Sequence, residues 1–136
     1  MDYRELPGYG QRFDRVVSVG MVEHVGRGRC MDKKYIFPSG VVPSLREILQ
    51  IAGDMRFYTV GVESLRRHYN RTLLCWNENF QKHRREVVEM FDERFARMWE
   101  LFLCSCAATF MNGIIDLHQI IFTSDVNNEL PMTKWY

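Results

Sequence analysis

The stretch that decides the fold is Phe13-Asp14-Arg15-Val16-Val17-Ser18-Val19-Gly20-Met21-Val22-Glu23-His24-Val25-Gly26. Val16, Val17 and Val19 form a β-branched run too short for a helix. A run of this kind predicts a strand, Val16–Gly20, buried on both faces as in a parallel sheet. The run breaks at Gly20, and an acid and an imidazole, Glu23 and His24, follow directly. Open α/β sheets bind ligands beyond the carboxyl ends of their strands, so Glu23 and His24 mark a candidate active-site edge.

The chain changes character just downstream. Gly26-Arg27-Gly28-Arg29-Cys30-Met31-Asp32-Lys33-Lys34 is short, basic and glycine-broken, and runs straight into Tyr35-Ile36-Phe37-Pro38. A crossover to another parallel strand takes about a dozen residues, which this stretch does not supply. Pro43-Ser44-Leu45-Arg46-Glu47 then starts a helix, with Ser44 and Glu47 at capping-box spacing. Leu45, Ile48, Leu49 and Ala52 form its apolar stripe, and Gly53 is the expected stop.

A second strand is predicted near Met55–Val62, where Phe57, Tyr58, Thr59 and Val60 are strong strand formers. A helix from Ser64 to Lys82 follows, with Leu65, Tyr69, Thr72 or Leu73, Trp76 and Phe80 at helical spacing. Arg66, Arg67 and His68, with Lys82-His83-Arg84-Arg85, compose a basic region suited to a solvated helix face or to phospholipid headgroups. Asp92 caps the next helix, whose stripe runs Phe95, Met98, Trp99, Phe102, Leu103, Cys106, Phe110 and stops at Asn112-Gly113. Ile114 to Thr123 reads as a third strand, with His118 either packed or facing solvent. The tail from Ser124 is polar.

The composition bounds the function. Hydrophobic content of 46% and charged content of 26% are those of an ordinary globular domain, and a net charge of +1 gives no long-range pull towards nucleic acid. Cys30, Cys75, Cys104 and Cys106 lack zinc-ligand spacing and the density of a disulfide scaffold. They are expected to be reduced packing residues of a cytosolic protein, and no metal site is predicted. The polar opening Met1-Asp2-Tyr3-Arg4-Glu5 predicts no signal peptide, and no apolar run is long enough to cross a bilayer. Asp2 to Arg12 reads as a loop punctuated by Pro7, Gly8 and Gly10.

Several segments together resemble one family. They are DYREL (Asp2–Leu6), FDRVVSVGMVEHVG (Phe13–Gly26), KYIFPSGVVPSLREI (Lys34–Ile48), HYNRTLLCWNENF (His68–Phe80) and DERFARMWELFLCSCAATF (Asp92–Phe110). In this order they resemble the cyclopropane-fatty-acyl-phospholipid synthases and mycolic acid cyclopropane synthases, which are S-adenosylmethionine-dependent methyltransferases. The resemblance implies an α/β fold: a partial Rossmann-like class I methyltransferase of about three strands with flanking helices. Residues 1–136 would form a single partial domain without the N-terminal, cofactor-binding half. The last two strands would pair antiparallel at one edge of the sheet. The central strand expected between them and Val16–Gly20, with its active-site histidine, would be lost in an internal deletion.

The family reaction implied is methylene or methyl transfer to unsaturated fatty-acyl chains of phospholipids. The alkene attacks the methyl of S-adenosylmethionine, a carbocation forms, and bicarbonate removes a proton as the ring closes. Such chemistry needs a dry apolar cleft with a few fixed polar groups for the anionic base. By resemblance Glu23 helps organise the bicarbonate, Tyr69 donates its hydroxyl to it, and Tyr3 and Arg4 lie beside the cofactor adenine. Spacing alone makes Tyr69 a core aromatic with a satisfied hydroxyl. The family's glycine-rich loop, the acid after its second strand and its bicarbonate-binding cysteine have no counterpart in this chain. Both the cofactor and the bicarbonate sites would therefore be incomplete, and the chain alone inactive. The partners implied are phospholipid acyl chains at a membrane surface, with a cytoplasmic, membrane-peripheral location, and a homodimer or pairing with a full-length paralogue. The alternatives are a non-catalytic partner or membrane-binding module and a small-amine N-methyltransferase of the same superfamily.

Overall fold

Ser44 and Glu47 build the first helix locally. The Glu47 carboxylate accepts the Ser44 N–H at 2.7 Å, and the Ser44 hydroxyl accepts the Glu47 N–H at 3.2 Å. This reciprocal pair satisfies backbone donors that the helix cannot, and α1 (Leu45–Asp54) follows. The computed structural model describes Gly10, residues 13–20 and residues 43–132. The chain divides into two units, Met1–Ile48 and Leu49–Tyr136.

The helix does not stop at Gly53, as its sequence suggests. Arg56 is the residue that turns left-handed, with φ at 62°. Its N–H donates to Gly53 O and that of Phe57 donates to Ala52 O, both at 2.9 Å. This is a Schellman closure with an arginine where glycine is the usual occupant. The chain then enters β1 (Tyr58–Ser64), α2 (Arg66–Lys82), α3 (Arg84–Met90), α4 (Glu93–Met111) and β2 (His118–Thr123).

β1 and β2 pair antiparallel, from Tyr58 opposite Thr123 to Ser64 opposite His118. A bulge between Thr59 and Gly61 leaves Val60 without a cross-strand partner and switches the faces of the flanking residues. The two expected strands and their pairing are therefore present, each starting a few residues later than expected. The third is not. Residues 15–18 carry no strand, and Val16, Val17 and Val19 are 84%, 85% and 86% exposed rather than buried on both faces. The physical reason is that β-branched residues fit a strand only where a ladder exists to receive them. The sheet of the described residues has two strands, β1 and β2, joined only to each other. The α/β class stands, with two strands instead of about three.

The core lies between α2 and α4. Leu73 and Phe80 from α2 meet Ala96, Leu103, Ala107 and Phe110 from α4. The expected stripe of α4 faces the core, with Leu103 and Phe110 buried and Phe95, Met98, Trp99, Phe102 and Cys106 half-buried beside them. Phe91, Phe95 and Trp99 stack in sequence with centroids 4.4 and 6.3 Å apart, and Phe102 lies tilted to Trp99 at 5.4 Å. The buried line of α4 is Ala96, Leu103, Ala107 and Phe110, with the two alanines leaving room for the large side chains of α2. Asp92 caps α4 as expected, its carboxylate accepting the Phe95 N–H at 2.6 Å. Gly113, with φ at 72°, closes the helix at the expected Asn112-Gly113 stop.

Candidate functional site

The path from sheet to helix fixes Tyr69. The Leu65 N–H donates to Leu117 O at 2.7 Å, tying the start of α2 to the residue before β2. One turn later Tyr69 is half-buried, with its ring edge-on to Phe110 at 4.9 Å and to Trp76 at 6.2 Å. Contacts of this geometry contribute about 0.5–1.5 kcal/mol each beyond area burial. No hydrogen-bond partner meets the Tyr69 hydroxyl among the described residues. Tyr69 is thus a packing aromatic, as spacing suggests, but its polar end is not used up in holding the fold.

Two neighbours of Tyr69 on α2 reach across to α4. The Arg66 guanidinium Nη1 donates to Phe110 O at 2.5 Å and to Met111 O at 2.8 Å. Asn70 Nδ2 donates to Ala107 O at 2.8 Å. The last turn of α4 has no basic residue of its own. Arg66 therefore supplies from a neighbouring helix both the donors and the positive charge that a helix C-terminus attracts. Sequence reading had placed Arg66 in a basic surface region. Its C-terminal part is paired as well: His83 lies 3.2 Å from Glu86, Arg84 2.5 Å from Glu93 and Arg85 3.6 Å from Glu89. The hydrogen bonds that Arg84 donates to Glu93 raise the guanidinium pKa and lower that of the carboxyl.

A polar cluster that the sequence did not reveal joins the two strands. The Ser64 hydroxyl reaches both carboxylate oxygens of Asp116, at 2.7 and 2.8 Å. Asp116 also accepts the Leu117 N–H at 2.7 Å and lies 3.5 Å from His118 Nε2. Burial works to raise the Asp116 pKa. The hydrogen bonds from Ser64 and Leu117, with the charges of His118 and Arg66, outweigh it, and the net shift is downward. The sign of the pH dependence follows. A carboxyl with a depressed folded pKa stabilises above its unfolded value, about 3.9, and that stability is lost as pH falls through the folded value. The urea midpoint of the wild-type chain is expected to drop on acidification below about pH 4 more steeply than that of Asp116→Asn. Equal slopes would show that the cluster contributes nothing.

The other predicted site residues, Glu23, Tyr3 and Arg4, lie outside the described residues, as do His24 and Cys30. Of the remaining cysteines, Cys75 and Cys104 are exposed rather than packed, and Cys106 is half-buried. Among the described residues no His, Cys, Asp or Glu group could hold a metal ion, and no helix is long and apolar enough to cross a membrane. One depression of about 460 Å³ follows the polar loop 123–129, and another of about 400 Å³ lies over His68, Arg71, Thr72, Cys75 and Trp76. Each is built from one short segment of chain. A nucleoside-bearing cofactor needs a concave site that buries most of its surface, and neither depression is one.

An α/β arrangement of this kind is found in solved methyltransferases. The chain superposes with a TM-score of 0.64 and 28% identity on the mycolic acid cyclopropane synthase CmaA1 complexed with SAH and CTAB, over 67% of this chain and 32% of that one. It matches the cyclopropane synthase MmaA2 from Mycobacterium tuberculosis with a TM-score of 0.65, over 75% of this chain and 38% of that one. The fold is that of part of a class I S-adenosylmethionine-dependent methyltransferase. Residues 30–120 match the family model of mycolic acid cyclopropane synthetase, and the chain belongs to that family.

Two relatives show how the chain is related to its family. It is 34% identical to a Pseudomonas putida protein named "Probable fatty acid methyltransferase", over 98% of this chain and 44% of the relative. It is 31% identical to the cyclopropane-fatty-acyl-phospholipid synthase of Escherichia coli (strain K12), over 98% of this chain and 42% of the relative. The chain thus spans less than half the length of either. The first alignment runs over 175 residues, more than the 136 of this chain, so the relative carries segments with no counterpart here. The family match begins at Cys30, inside the glycine-broken stretch read as a deletion.

Proposed function

We propose that this chain is a partial methyltransferase domain, residues 1–136, of the type that transfers methylene or methyl groups from S-adenosylmethionine to unsaturated fatty-acyl chains of phospholipids. The observation that carries the reading is the family match across residues 30–120. In this reading Tyr69 donates its hydroxyl to the bicarbonate base, Glu23 organises that base, and Tyr3 and Arg4 lie beside the adenine. An uncommitted hydroxyl on a ring wedged between Phe110 and Trp76 supports the role of Tyr69. The chain alone is expected to be inactive. The setting is cytoplasmic and peripheral to a membrane, where the acyl chains are.

The test is a chimera in which residues 30–120 replace the matching segment of the Escherichia coli synthase. Gas chromatography of the lipids of cells expressing it should find cyclopropane or methyl-branched acyl chains. A folded chimera that binds S-adenosylmethionine yet makes neither would contradict the assignment.

A second reading, pairing with a full-length relative or a second copy, is favoured by exposed apolar side chains. Met90, Phe91, Leu101 and Ile114 are 74%, 60%, 70% and 72% exposed. Co-purification with a tagged full-length relative would support it, and a monomer that fails to bind one would not.

A further inference from the structure

We infer that Arg66 and Asn70 are positioning residues for Tyr69. Its functional meaning rests on the proposed role of the Tyr69 hydroxyl. The last turn of α4 carries no cation, and of its end carbonyls Phe110 O meets only a long backbone donor, the Gly113 N–H at 3.3 Å. Arg66 gives Phe110 O a second, shorter donor and donates to Met111 O as well, while Asn70 adds a donor to Ala107 O one turn further into the helix. These three carbonyls flank or include Phe110, the residue whose ring meets Tyr69 at 4.9 Å. The two donors flank Tyr69, three residues before it and one after. The same short segment of α2 therefore grips the end of α4 by its backbone and rests Tyr69 on its side chain.

That coincidence has a mechanical consequence. The ring contact between Tyr69 and Phe110 is non-directional along the helix axes and would tolerate sliding. The three hydrogen bonds are directional and do not. A guanidinium also presents its donors in a fixed fork, so one Nη can span two successive carbonyls while the helix end stays in place. Register between α2 and α4 is thereby set at the level of Tyr69, and the height of its hydroxyl above the apolar core follows from that register. For a hydrogen-bond donor to an anionic base, a placement error of about 1 Å is enough to lose most of the benefit.

The test is ring-carbon NMR of the 136-residue chain labelled at tyrosine, with the Tyr69 signals assigned by their absence in Tyr69→Phe. Arg66→Gln and Asn70→Ala are expected to shift the Tyr69 ring resonances and to remove most of the Tyr69–Phe110 cross-peak intensity. Arg66→Lys should restore part of both, since it returns the charge and one donor but not the fork. Arg84→Gln breaks the ion pair with Glu93 elsewhere on α4 and should leave Tyr69 unmoved. The inference is overturned if Arg66→Gln and Asn70→Ala lower the melting temperature while the Tyr69 signals stay as in the wild type. Should Arg66→Gln fail to fold, Asn70→Ala carries the comparison in either direction. Turnover of the chimera with Tyr69→Phe is a separate observation: undiminished turnover would remove the proposed role of the hydroxyl without touching the NMR result.

Discussion

Leu103→Ala is expected to lower the unfolding free energy by about 3 kcal/mol, read as a shift in the urea midpoint at unchanged slope. Leu103 is 1% exposed and sits on the α4 face that packs against Leu73 and Phe80 of α2. Truncating it loses the transfer energy of its buried methyl groups and leaves a cavity that two close-packed helices cannot readily collapse. The loss is a large share of the stability of a small domain, commonly about 5–15 kcal/mol. Leu101 lies on the same helix and is 70% exposed, so Leu101→Ala should change stability by no more than about 0.5 kcal/mol. Equal effects at the two positions would mean that α2 and α4 do not pack as described.

The second large effect is chemical. In the active chimera, Tyr69→Phe is expected to lower kcat about 100-fold with little change in fold, the usual consequence of removing one donor aimed at a reacting anion. The ring contacts with Phe110 and Trp76 are retained by phenylalanine, so stability should barely move. A purely structural tyrosine would show the reverse pattern: turnover unchanged by Tyr69→Phe and both stability and turnover lost in Tyr69→Ala. Measuring kcat and melting temperature on the same three proteins separates the two roles.

What the sequence disclosed was what is settled locally. The Ser44–Glu47 box, the Asp92 cap and the Asn112-Gly113 stop each depend on a few neighbouring residues, and all three are present. The helical spacing of Leu73 and Phe80, and of Leu103 and Phe110, marked the helix faces that meet. The errors arose where a partner distant in sequence decides. Val16, Val17 and Val19 have the side chains of a buried strand, but exposure follows the ladder and not the propensity. The stripe of α4 left out Ala96 and Ala107, small residues that are buried as deeply as Leu103. Arg56 holds the left-handed position that Gly53, three residues earlier, was expected to mark.

The site was legible to a similar degree. Tyr69 was found through the segment around it, and its apolar contacts through helical periodicity. Arg66 looked like one more surface cation, since nothing in its own helix tells of the carbonyls of Phe110 and Met111. Ser64 and Asp116 are 52 residues apart and meet only because β1 and β2 pair in one particular register. Polar contacts of this kind are specified by tertiary structure, and a one-residue slip in register would have separated them.

The central proposal is that residues 1–136 are part of a lipid methyltransferase and do not by themselves hold its cofactor. Titration calorimetry of the purified chain with S-adenosylmethionine tests this directly. The account predicts no saturable heat at micromolar ligand, and a saturating isotherm with a micromolar Kd would contradict it.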